Sequence, residues 1–142
     1  MSEGSLNLRL LDVLSERADA LCKSVDADAV AISRVIGDVL ILIVERVADG
    51  TTLQQGAGYL IPDFPQTVAV LESGMPSTLT LDDSSVDEGE AKVLRELGYG
   101  ALLMLPLDVN GATWGLMEAY RRDTRAFSAE DVERAVALSR VT

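Results

Sequence analysis

The sequence predicts an α+β domain: a central antiparallel sheet with the N- and C-terminal helices on one face and short helices and loops over the other. Three observations lead there. Two pairs of apolar runs meet at the two-residue reversals Gly37-Asp38 and Asn110-Gly111, the spacing that closes a β-hairpin. Amphipathic helical patterns open and close the chain. Between the hairpins lies a less regular stretch with short helices, suited to covering a sheet face.

Ser5 can cap the first helix. Its apolar positions Leu10, Leu11, Leu14, Ala18, Leu21, Cys22 and Val25 keep the spacing of one buried stripe. Residues 29–36 and 39–47 form the first hairpin. The run "VLILIV" is apolar on both faces, which predicts a strand covered on both sides. The segment "TTLQQGAGYLIP" predicts a short strand ending at Pro62. In "DFPQTVAVLESG", Pro65 occupies the first turn of a short helix and Gly74 stops it. After Pro76, "STLTL" suits a brief edge strand.

Residues 82–90 hold five acids and no base. They predict a loop leading into a helix, with Ser85 and Glu88 at capping-box spacing, Ala91, Leu94 and Leu97 as the inner stripe and Gly98 as the stop. "YGALLMLPL" and "ATWGLMEAY" make the second hairpin. After "RRDTRA", Ser128 and Asp131 form a capping box, with Phe127 and Val132 as a hydrophobic staple. The last helix meets no stop signal before Thr142, which reads as a fragment of a longer protein or a helix continuing toward a partner.

Composition narrows the function. A chain of 142 residues suits one domain. Its 48% hydrophobic content and mean hydropathy of +0.20 supply a core. With 23 acids against 12 bases the net charge is −11, which repels phosphate backbones and anionic lipid. Nucleic-acid and membrane partners are therefore not expected. The longest apolar runs fall short of the roughly 20 residues that cross a bilayer, and the N-terminus has no signal-peptide pattern. One cysteine, Cys22, permits no internal disulfide, in keeping with a cytoplasmic location. No histidine is present, so the usual general base and the usual zinc and haem ligand are missing.

The element order and three stretches resemble the GAF domain, a PAS-related small-molecule sensory module of bacterial signalling proteins and cyclic-nucleotide phosphodiesterases. They are "LESGMPSTLTLDD" (71–83), "LRELGYGALLMLPLDVNGATWGLMEAY" (94–120) and "FSAEDVERAVALS" (127–139). The resemblance implies one GAF-like domain over residues 1–142, belonging to a longer multidomain protein with an output domain in cis.

The resemblance also implies a ligand site on one sheet face, beneath the middle segment. Its candidate lining is Tyr59, Leu81, Asp82, Leu94, Tyr99, Leu103, Trp114 and Glu118. Glu118 stands out, since a charge inside the apolar strand "GLMEAY" is costly unless paired or wet. The plainer readings have Glu118 facing solvent or pairing with Arg34 or Arg121, and Trp114 filling core or an interface. Residues 82–90 lack the alternating ligands and central glycine of an EF-hand, so no metal site is expected.

Within the family, cyclic-nucleotide binders carry an Asn-Lys pair and Phe-x3-Asp-Glu. Here Phe127 and Asp131 match, but Val132 replaces the glutamate and the Asn-Lys pair is missing. Bilin attachment uses a pocket cysteine, whereas Cys22 lies on the first helix; haem needs a histidine. Free methionine sulfoxide reductases need more than one cysteine. The sequence thus leads to no identifiable cofactor, with haem and covalent bilin set aside. No nucleophile–base pair can be named, so a non-catalytic domain is expected. It would bind an unidentified small molecule, form a homodimer, or both. Leu10, Leu14, Ala135, Val136 and Ser139 are the candidate dimer-helix positions. The alternative is a structural dimerisation module, a degenerate GAF or roadblock-like domain without a ligand.

Overall fold

Both hairpins close where their turn residues allow it. Asn110 and Gly111 take φ of 52° and 82°, the paired left-handed conformations of a type I′ turn, and Val109 stands opposite Ala112. Ile36 stands opposite Val39 across Gly37-Asp38. The computed structural model describes residues 3–48 and 58–142, without the side chains of residues 3–8.

The elements run α1 (Glu3–Ser24), β1 (Ala29–Ile36), β2 (Val39–Val47), β3 (Gly58–Leu60), a 3-10 turn (Ile61–Asp63), α2 (Pro65–Ser73), β4 (Ser77–Thr80), α3 (Glu88–Leu97), β5 (Ala101–Val109), β6 (Ala112–Arg121), α4 (Ala129–Leu138) and β7 (Arg140–Val141). The strands form a sheet in the order β3-β2-β1-β6-β5-β4, antiparallel throughout, with β7 added parallel to β5. The predicted α+β architecture is the observed one.

Strand side chains alternate between two faces, and each face carries its own core. Val30, Ile32, Leu103, Leu105, Met117 and Ala119 meet Leu14, Ala18 and Leu21 of α1 and Ala135 of α4. Ala31, Leu40, Leu42, Leu102, Met104 and Leu116 meet Val70 of α2 and Leu94 of α3. Terminal helices thus lie over one face and the middle helices over the other.

Several local expectations change. α1 begins at Glu3, so Ser5 lies inside the helix rather than at its cap, and its side chain is outside the described residues. Thr51–Ala57 of the expected third strand are also outside them. That strand ends at Leu60 rather than Pro62, because Ile61–Asp63 wind into a 3-10 turn, where Pro62 need not donate a ladder hydrogen bond. The cap of α3 is Asp87, which accepts from the Glu90 amide at 3.2 Å. Ser85 instead donates its hydroxyl to Asp83 at 2.7 Å.

The last helix does stop. It ends at Leu138, and Ser139 returns its hydroxyl to the Val136 carbonyl at 2.9 Å. The next residues are captured by the open end of β5: Asp108 donates to the Ser139 carbonyl and Asn110 to that of Val141, at 2.9 and 2.7 Å. The candidate dimer-helix positions point into the protomer. Leu14, Ala135 and Ser139 are buried, and the half-buried Leu10 and Val136 pack on the same core.

Candidate functional site

On the middle-helix face, packing is incomplete. A cavity of ≈ 50 Å³ is floored by Ala31 and Ser33 of β1, Leu40 and Leu42 of β2, Tyr59 of β3 and Glu118 and Tyr120 of β6. Its roof is Phe64 and Thr67 at the start of α2 and Glu90, Val93 and Leu97 of α3. That is room for a few waters or a molecule of a few heavy atoms.

Two carboxyl groups converge on it. Strand alternation turns Leu116, Glu118 and Tyr120 to this face, and the Tyr120 hydroxyl donates to Glu118 Oε2 at 3.0 Å. Asp87 caps α3 so that Glu90 begins its inner stripe with Ala91 and Leu94. The Thr67 hydroxyl donates to Glu90 Oε1 at 3.1 Å. Among the described residues no cation pairs with either acid, and the lining contains no lysine or arginine.

The electrostatics follow from that geometry. Burial, with the Glu90 charge adding to it, pushes Glu118 up to about 7, against the hydrogen bond from Tyr120. The Glu118 side chain retains some accessible area, but that area faces the cavity, so surrounding protein rather than bulk water sets its environment. Burial raises Glu90 as well. Burial and the Glu118 charge raise Tyr120 well above the usual phenol range, and Tyr59 moves the same way for the same causes.

The eight predicted lining residues divide. Tyr59 and Glu118 line the cavity. Buried Leu94 and Tyr99 and half-buried Leu81 belong to the same-face core without reaching the cavity. Asp82 is exposed on its loop. Leu103 faces the terminal helices.

Trp114 also packs on the helix side, because the β5–β6 register jumps from Leu107 opposite Gly115 to Asp108 opposite Thr113. Trp114 is the extra residue of a β-bulge, which reverses its facing. Neither partner suggested for Glu118 reaches it. The Arg34 guanidinium lies 4.8 Å from the Trp114 ring centroid, and Arg121 is enclosed by the backbone carbonyls of Val25, Asp26, Arg125 and Ala126 and by Asp131.

Sequence reasoning missed Thr67, Tyr120 and Glu90. Glu90 carried a signal, since Glu90, Leu94 and Leu97 keep an i, i+4, i+7 spacing on one helix face. A second hollow of ≈ 200 Å³ lies between Met75–Pro76, β5 and Arg140. It is larger, but no buried polar pair converges on it. Among the described residues no group of three or more His, Cys, Asp or Glu is arranged to hold a metal, and no helix is long and apolar enough to cross a membrane.

Solved structures share this architecture. The GAF domain of Thermosynechococcus elongatus PixJ, in its blue-light-absorbing form, superposes with a TM-score of 0.82 at 18% identity, covering 99% of this chain and 85% of that one. A phycocyanobilin-bound GAF domain from a cyanobacterial phytochrome gives 0.75 at 18%, covering 95% and 89%. The GAF domain of a Bacillus halodurans two-component sensor histidine kinase gives 0.73 at 18%, covering 90% and 86%. Comparison with curated protein sequences gives no match.

These likenesses correct the expectation of no identifiable cofactor, with haem and covalent bilin set aside. One solved domain of this fold, that of the cyanobacterial phytochrome, holds phycocyanobilin. The exclusion of covalent bilin rested on Cys22, which sits on the opposite face, donating to the Ala27 carbonyl at 3.1 Å. A roadblock-like scaffold is ruled out by the family match itself. The GAF domain profile spans residues 9–141, and with the sheet order and two-sided core already described, this chain belongs to the GAF domain family of sensory signalling modules.

Proposed function

We propose that this GAF domain is a non-catalytic regulatory module of a cytoplasmic bacterial signalling protein, binding a small molecule in the cavity beneath α2 and α3. The observation carrying this reading is the cavity with its converging Glu118, Tyr120, Glu90 and Thr67, polar groups in a wall otherwise mostly apolar. Glu118 and Tyr120 sit on β6, whose next residue, Arg121, holds the ends of α1 and the start of α4. A ligand that moves β6 would bias the terminal helices and an output domain in cis, a shift between two arrangements.

A screen of nucleotides, tetrapyrroles and metabolites tests this. The expected result is at least one compound that raises the melting temperature and changes amide exchange in α2, α3 and β6. If no compound does either, the ligand-binding reading fails. The small cavity volume supports a second reading, a homodimerisation module without a ligand. Light scattering that gives a tight dimer, together with a silent screen, would favour it.

A further inference from the structure

We propose that the cavity takes a small organic cation bearing N–H donors, such as a protonated amine, amidinium or guanidinium, with Glu118 and Glu90 as its counter-charges. The inference rests on the ligand-binding reading above. It goes further by naming the chemistry of the guest.

Each carboxyl group spends one oxygen inside the protein, Glu118 Oε2 on Tyr120 and Glu90 Oε1 on Thr67. Glu90 is also held by the Thr67 backbone amide, while the second oxygen of Glu118 has no hydrogen-bond partner among the described residues and is not sealed off by packing. An acceptor pair facing one small space calls for donors. Charged donors answer it best, because a hydrogen bond to an ionised group is shorter and stronger.

The walls point independently the same way. Three aromatic rings, Tyr59, Phe64 and Tyr120, border the space, and Tyr59 meets Phe64 edge-on at 6.0 Å between centroids. Ring faces attract organic cations. An anion would meet two acids and no base. A neutral apolar guest would leave both acids unpaired in a drier cavity. A hard metal cation wants six or more oxygens, and the aromatic and aliphatic walls do not supply them. An organic cation satisfies the carboxyls and the rings together.

Acetamidinium, acetamide and acetate share one size and shape and differ in charge, so they separate the possibilities. Titrated into the intact chain at pH 7.5 and followed by two-dimensional NMR, acetamidinium is expected to bind saturably and shift the resonances of Ala31, Leu42 and Tyr59. Glu118→Gln should weaken it at least tenfold, while Asp82→Asn, an exposed acid outside the cavity, leaves it within twofold. Acetamide or acetate binding at the same resonances as tightly as acetamidinium overturns the inference and leaves the ligand-binding reading intact. Equal weakening by Asp82→Asn reduces the effect to general attraction by an acidic surface, and also overturns it. If all three probes are silent, the inference falls, while the screen above judges the broader reading separately.

Discussion

Glu118 sits in an environment that costs the fold stability. Its carboxyl is raised to about 7 from an ordinary 4.5. Between those values the folded chain keeps a proton that the unfolded chain has released, so stability is highest below the window and falls as pH rises through it. At roughly 1.4 kcal/mol per unit, the full cost above pH 7 is about 3 kcal/mol. The titratable neighbours are Glu90 on α3, raised by its own burial, and Tyr59 and Tyr120, which stay protonated. Glu118→Gln is therefore expected to be more stable than the parent by about 1–3 kcal/mol at pH 8, with the gain vanishing near pH 4. Urea unfolding across that range checks it, and a constant difference at both ends would remove Glu118 from the account. Glu118 was legible as a charge in an apolar strand. Glu90 carried only the weaker signal of its spacing from Leu94 and Leu97, masked because five acids in nine residues look like solvated loop and helix-start charges.

At the scale of elements, legibility followed turn and cap chemistry. Asn110-Gly111, Pro65, Gly74 and Gly98 each act locally, and each does what its backbone preference requires. The box at α4 also formed as read, with Asp131 donating its amide to Ser128 Oγ at 3.1 Å and Ser128 its amide to Asp131 Oδ2 at 2.9 Å. Ser128→Ala is expected to cost about 1 kcal/mol, measured by thermal or denaturant unfolding, with amide exchange rising first at residues 129–132. Elements set by distant partners were not legible. β7 has two residues and no period, and exists because β4 pairs only with residues 101–104 of β5, leaving Asp108 and Val109 open to a new neighbour. The bulge at Trp114 likewise depends on a register that local pattern does not encode.

The whole molecule is one sheet with two unlike faces, and Arg121 is where its layers are tied. Its guanidinium binds the carbonyls of Val25 and Asp26 after α1, those of Arg125 and Ala126 before α4, and Asp131 at 3.2 Å, while lying 4.0 Å from the Phe127 ring centroid. Removing it leaves buried acceptors without donors. Arg121→Met should cost about 3 kcal/mol. Hydrogen exchange should show protection falling at residues 23–28 and 122–131 before the β1–β2 ladder loosens. Uniform loss across the sheet would contradict its role as a tie between layers. The adjacency of β1 and β6 was not legible, because strands more than 70 residues apart share no local signal, and the cavity is a property of how the faces fail to fill.

Gly115 shows how close those two strands come. A Cβ there would run into the Ser33 carbonyl across the ladder, and Ser33 itself borders the cavity. Even an alanine would have to push β1 aside, carrying a piece of the hollow's floor with it. Mutational drift at a site that touches no guest could therefore retune what the hollow accepts.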